Sequence, residues 1–266
     1  MKREPGAFFD LRPTDAEPAS LAEPGHFLGR FDQAALEREM EAAGILAALA
    51  ERGHPHVRLR ADATEGEHRL RILPPRGEEA LVELRASELT CVVDEPVLRA
   101  KGIELLYALA VHWFTLQNPG APFKPERPRL PGQRHPGLGI GRRFYGRLVA
   151  WAHEWGKDAL LNFPEYFHNA VFYASMFKFV SPVRQGRVEA LRRDLRSLHI
   201  CEASAAVDAG RVLEEPGARP FGWQAAEMIS PITDSVKAAL ASEAYAAAVA
   251  KARDAVRFRV VDGRQE

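Results

Sequence analysis

Apolar residues recur along this chain with two different periods, and the changes of period mark its elements. From Phe31, the residues Leu36, Met40, Ile45, Leu46 and Leu49 fall on one face of a helix that Gly53 ends. The period then drops to two. Val57 to Arg60, His68 to Leu73 and Ala80 to Leu84 alternate or nearly so, with Glu65-Gly66 and Arg76-Gly77 between them, which predicts three short antiparallel strands with one buried face. Val111 to Leu116 reads either as a further strand or as the end of a helix beginning near Pro96.

A proline-punctuated loop from Pro119 to Pro131 leads into Arg134-His135-Pro136-Gly137-Leu138-Gly139-Ile140-Gly141. Three glycines in five positions let a backbone approach a ligand and present its amides, and a helix starting there adds the positive end of its dipole. Such a loop suits phosphate, although a glycine-rich turn that merely starts a helix has the same spacing. Ile140, Phe144, Leu148, Ala152 and Trp155 then recur at helical spacing, Gly156 ends that helix, and Ala159 to Phe163 reads as a short buried strand. A second helix, His168 to Met176, and a strand, Phe177 to Val180, follow.

Beyond Val180 the pattern is mainly helical. Val188, Leu191, Leu195 and Leu198 mark one helix, Ala203 to Ala209 a shorter one, and Asp234 to Val256 an alanine-rich one capped by Thr233 or Asp234. Val256 to Val261 alternates as a terminal strand, and Pro216 to Pro220 is a loop. The segment up to Gly29, rich in proline, glycine and acids, reads as an extended arm anchored by Phe8, Phe9, Phe27 and Leu28.

Composition narrows the classes. The 266 residues are 46% hydrophobic, with 36 basic and 36 acidic side chains, enough for a sizeable core and giving no global attraction to nucleic acid or an anionic membrane. The first residues lack the apolar core of a signal peptide, and the longest apolar run, Ile103 to Leu116, is broken by Glu104 and His112, so a cytoplasmic protein with no membrane contact is expected. Cys91 and Cys201 are too few for a disulfide framework, and neither these nor His54-Pro55-His56 have partners at metal-ligand spacing, so no metal is expected.

The order of loop, helix, strand, helix and strand resembles that of the GNAT N-acetyltransferase superfamily, whose pyrophosphate loop reads Gln/Arg-x-x-Gly-x-Gly/Ala. Arg134, Gly137 and Gly139 fill that pattern, and Asn169, Tyr173 and Phe177 to Phe179 occupy places comparable to the family's next helix and aromatic strand. The resemblance covers about Gln133 to Val180. Tyr173 is followed by Ala-Ser-Met-Phe-Lys-Phe where the family has Tyr-x-x-x-Gly-Phe, and Asn169 lies closer to it than in the family.

The resemblance implies an α/β fold: a GNAT-like mixed sheet flanked by helices, occupying about residues 30–183, with an insertion at about 86–132 and a mainly helical extension from 184 to 266. It implies transfer of an acyl group from acetyl-coenzyme A or another acyl-coenzyme A to an amine acceptor by direct attack. Arg134, Gly137, Leu138, Gly139, Ile140, Gly141, Arg142 and Asn169 would hold the coenzyme, and Tyr173 would protonate the departing thiolate. The base would be Glu83 if Ala80 to Leu84 leads into the loop, and otherwise His112. His168 is a further candidate acid or base that could equally cap its helix. The other readings are a non-catalytic module of this fold that binds a protein partner or a second copy of itself, and nucleic-acid binding through Lys124, Arg127, Arg129, Arg134, Arg142, Arg143 and Arg147, for which no sequence signature is present.

Overall fold

A computed structural model describes residues 9–10, 26–64 and 66–261. In chain order, β1 (Phe9–Asp10) precedes α1 (Gln33–Ala42) and α2 (Ile45–Ala50), followed by the meander β2 (Arg58–Thr64), β3 (Glu67–Leu73) and β4 (Val82–Val93). Then come α3 (Pro96–Arg99), β5 (Leu105–Leu116), α4 (Gly141–Glu154), β6 (Ala159–Asn162), α5 (Phe167–Tyr173) and β7 (Lys178–Phe179). The rest comprises α6 (Pro182–Asp194), α7 (Ile200–Asp208), β8 (Val212–Glu215), β9 (Arg219–Pro220), β10 (Met228–Pro231), α8 (Asp234–Leu240), α9 (Glu243–Asp254) and β11 (Arg257–Val260).

The main sheet runs β2-β3-β4-β5-β6-β10-β7, with β1 against the far end of β4; β8, β9 and β11 form a small second sheet. In the main sheet β5 and β6 are parallel and the other paired strands antiparallel, so the fold is a mixed sheet flanked by helices. One face packs on α1, α2 and α4 through Leu70, Leu84, Leu109 and Leu160, with Trp151 and Phe144 as its largest α4 side chains. The opposite face is covered by α3, α8 and α9 only over the far halves of β4 and β5 and over β6, where Cys91, Leu106, Ala108 and Leu161 meet Leu98, Val236 and Tyr245. Cys91 is a core residue, and burial pushes its thiol up to about 12. No helix among the described residues is long and apolar enough to cross a membrane.

Several boundaries differ from those the pattern predicts. The single helix expected between Phe31 and Gly53 is two, because Gly44 takes a left-handed φ of 65° between α1 and α2. The helix expected from Asp234 to Val256 is also two, since the Ser242 hydroxyl accepts the Tyr245 amide and starts α9 afresh. Val111 to Leu116 is the end of the 12-residue strand β5, and only the short α3 follows Pro96.

Residues 86–93 and 105–116 are therefore strands of the sheet, joined through α3, and not an insertion; the excursion is confined to about 118–136. Nor is 184–266 only an extension, because β10 returns from it to lie between β6 and β7. Most of the arm expected before Gly29 lies outside the described residues; Phe27 and Leu28, two of its expected anchors, are buried.

Candidate functional site

β5 delivers the glycine loop to one end of the sheet. At the neck of the 118–136 excursion the Asn118 amide donates to the Pro136 carbonyl (2.7 Å), Gln117 bridges Gly137, and the Leu138 amide reaches the Leu116 carbonyl (3.4 Å). The His54 imidazole shares this neck, within 3.2 Å of Asn118 Oδ1. The chain thus passes from strand to loop as if the excursion were absent. Leu138 and Ile140 are buried and pin the loop, while Gly137 and Gly139 face outward.

Gly139 has φ 68°, and a Cβ built there would meet nothing within 4 Å, so its backbone borders open space. Ile140 begins α4 with no side-chain cap, and the first turn carries no acid. The amides of Gly141 and Arg142, as first-turn groups, have no intrahelical acceptor. Arg134, Arg142 and Arg143 are exposed residues of this stretch, the Arg143 guanidinium lying against Gly44. First-turn amides, a helix dipole and exposed guanidinium groups are features that suit an anion.

Four residues back along β5, the sheet opens. Parallel pairing with β6 runs only from Ala108–Ala159 to Val111–Asn162; beyond it β5 continues to Leu116 with no strand of the described residues on that side. The pairing with β4 shifts at the same place, Arg85 facing Trp113 and Ala86 facing Val111. His112 is the extra residue of a β-bulge, a device that re-aims side chains. Its Nε2 lies 2.7 Å from the hydroxyl of buried Ser87. His112 is exposed as a residue, yet desolvation of its ring against buried Ser87 lowers its pKa, opposed by the Glu67 charge. Across the opening, Asn162 is 8% exposed and its Oδ1 has no hydrogen-bond partner among the described residues.

The remaining candidates divide between the two faces. Glu83 pairs with Thr115, beside the strand end that meets the loop, but its carboxylate accepts from Arg69 (3.1 Å) and Arg85 (2.7 Å). Burial raises its pKa, yet these two hydrogen bonds and charges outweigh that and leave it below the usual carboxylate range. Held this way it is a poor proton acceptor, and β5, carrying His112, is the strand that leads into the loop. Tyr173 ends α5 in the core on the α4 side, its ring 6.0 Å from Phe177, and burial raises its pKa. Asn169 lies in the first turn of α5, half-buried. The structure therefore groups Gly137 to Arg142 at one end of β5 and His112 further along it, with Glu83 and His112 on the face opposite Tyr173.

His168 is a core residue. It is 4% exposed, its Nδ1 lies 2.8 Å from the Ser204 hydroxyl, and its ring stacks on Tyr166; burial lowers its pKa to about 4 in spite of Asp208 nearby. Among the described residues no three His, Cys, Asp or Glu side chains are grouped to hold a metal ion. The bulge at His112 was readable in outline, since the residues facing the α4 core are 109, 111, 114 and 116, and the interval of three between Val111 and Phe114 breaks the alternation. No pattern signals Ser87, the Arg69–Glu83–Arg85 cluster or the unpartnered Asn162. No protein-family model matches the chain, and no curated protein matches it.

Proposed function

We propose that the chain is an acyltransferase that passes an acyl group from acyl-coenzyme A to an amine. One observation carries this reading: a parallel strand pair that parts after Val111 and Asn162, with an uncapped helix and an open glycine loop at the mouth of the parting. The loop amides and dipole suit a pyrophosphate. From Val111 to Leu116 the strand rises by roughly 16 Å at about 3.3 Å per residue, room for an extended thiol-bearing arm to lie along β5 with its thioester near His112. The order of these elements is also that of the GNAT acetyltransferases, which the loop residues Arg134, Gly137 and Gly139 resemble.

In this mechanism the free amine attacks the thioester carbonyl carbon. The new C–N bond forms, the C–S bond breaks, and the amine proton passes to His112. A neutral imidazole is the form that can take it, and the depressed pKa keeps His112 in that form at pH 7. Hydrogen bonding to Ser87 fixes the ring and leaves the other nitrogen to act. The thiolate leaves on the α5 side, where burial keeps the Tyr173 phenol protonated and able to return a proton.

Calorimetric titration with acetyl-coenzyme A tests the reading, using the parent and a Gly139→Asp variant. Aspartate tolerates the left-handed backbone better than most residues and meets no neighbour there, so the variant should fold while placing a negative charge where the phosphates would lie. Binding by the parent and loss of at least tenfold in the folded variant supports acyl transfer. A folded parent that binds neither acetyl- nor longer acyl-coenzyme A overturns it and turns attention to a non-catalytic binding role.

A further inference from the structure

Among the described residues, no helix covers the half of the sheet face that bears His112, and this half carries a charge pattern of its own. In register across β2, β3, β4 and β5, one row reads Asp62, Arg69, Arg85, Trp113 and the next Arg60, Arg71, Glu83, Thr115. The bulge adds His112 to this face, because its partner Ser87 follows Ala86, which points to the opposite core. The helices α3, α8 and α9 begin to cover the face only past Ser87. Trp113 stays 44% exposed, with the Arg85 guanidinium 5.9 Å from its ring centre.

Four guanidinium groups share this grid with two carboxylates. Glu83 accepts from Arg69 and Arg85 together, Asp62 takes Arg71 (2.9 Å), and Arg60 reaches outward to Glu78 (3.0 Å). Arg71 and Arg60 are each matched by one carboxylate, whereas Arg69 and Arg85 share Glu83, which leaves one positive charge beside Trp113, with Glu67 on the next row toward His112. Such a surface attracts a carboxylate and repels a diamine. Its compact centre, beside the bulge, matches a small molecule that lays an apolar group against Trp113.

We propose, on the basis of the acyl-transfer reading, that the acceptor is a carboxylate-bearing amine, its carboxylate held by Arg69 and Arg85, its body against Trp113 and its amine toward His112. The amine loses its proton to His112 as the C–N bond forms and the thioester C–S bond breaks.

Matched probes decide the point: L-phenylalanine against L-phenylalaninamide, and L-glutamate against putrescine. Each is titrated calorimetrically into the parent without coenzyme, and each is then tried as acceptor with acetyl-coenzyme A, following thiol release. The amide has the more readily deprotonated amine, so a preference for the acid runs against intrinsic reactivity. The expected result is roughly tenfold to hundredfold preference for the acids, the range of a charged hydrogen bond. Arg69→Gln should raise KM for the acid by about tenfold with kcat within about twofold, and bring the acid down to the level of the amide.

Equal or better use of the amide or putrescine, with coenzyme binding intact, overturns the proposal and leaves the acyl-transfer reading standing. Carboxylate binding without any coenzyme binding overturns that reading, and the acceptor role with it. Salt-sensitive binding of a single-stranded oligonucleotide that Arg69→Gln and Arg85→Gln abolish, with no binding of the acids, also overturns it.

Discussion

Replacing Gly186 by alanine tests the close contact between α6 and α9. Gly186 lies inside α6 where it crosses α9, and a Cβ built on it would stand 2.3 Å from the Val249 carbonyl oxygen, 2.8 Å from the Arg253 amide nitrogen and 2.9 Å from the Ala252 Cβ. Two of these atoms are backbone, so no rotamer change relieves the overlap. The helices must separate by roughly 1 Å to restore ordinary contact. Separation loosens buried Tyr245 and Val249 and strains the bond from the Tyr245 hydroxyl to the Phe179 carbonyl (2.6 Å), which ties α9 to β7.

Overpacking of this kind costs about 1–3 kcal/mol, sometimes more. Alanine returns up to about 1 kcal/mol through its better helix propensity. With backbone on the other side the cost lies at the upper end, for a net loss of about 2 kcal/mol and a fall in melting temperature of about 4–8 °C for a chain of this size. Urea and thermal unfolding followed by circular dichroism measure it. Gly146→Ala is the control: that glycine is exposed in α4 with nothing within 4 Å of a Cβ, and the same exchange there should stabilise by about 0.5–1 kcal/mol. A Gly186→Ala protein as stable as the parent would refute the argument that α6 and α9 are held at glycine distance.

Three further outcomes are expected. His168 has a folded pKa near 4 against 6.5 when unfolded, so the unfolded chain binds the extra proton first; stability is full above about pH 6.5 and falls as pH drops toward 4, by at most about 3 kcal/mol in total. His168→Gln should flatten that part of the profile when urea midpoints are compared at pH 7, 5.5 and 4.5, and an unchanged slope would contradict it. Asn162→Leu removes a buried amide whose Oδ1 has no partner among the described residues, so urea unfolding should show stability unchanged or raised by about 1 kcal/mol; a loss would mean that the amide has a partner in solution. His112→Ala should lower kcat by about 10²–10⁴ with acetyl-coenzyme A affinity within about twofold, whereas Glu83→Gln should change kcat by less than about tenfold, and steady-state kinetics showing the reverse order would return the base to Glu83.

The parts of the fold that were legible are those in which one residue pattern does one job. The meander β2 to β4 and helix α4 follow from alternation and from Ile140, Phe144 and Leu148, because each has one wet and one dry face. β10 escaped the pattern because Met228-Ile229-Ser230-Pro231 is a four-residue strand buried on both faces that includes a serine and a proline. Ser230 is tolerated there because its hydroxyl meets the Tyr145 hydroxyl at 2.8 Å. At the candidate site, the glycine loop was legible through its spacing and the helical pattern that follows it. The fate of Glu83 was not, since a carboxylate facing outward from a strand reads the same whether it meets water or two arginines from neighbouring positions.

The place of β10 also bears on how the molecule is made. Synthesis proceeds from the N-terminus, so β6 emerges about sixty-five residues and β7 about fifty residues before the strand that joins them. Until residue 231 has left the ribosome, β6 offers an open edge of backbone hydrogen-bonding groups with β7 detached beside it. That interval is when a nascent chain is exposed to edge pairing with its neighbours. A chain stopped anywhere between Val180 and Glu227 would retain the glycine loop and every candidate reactive side chain, yet lack the strand that closes the sheet around them.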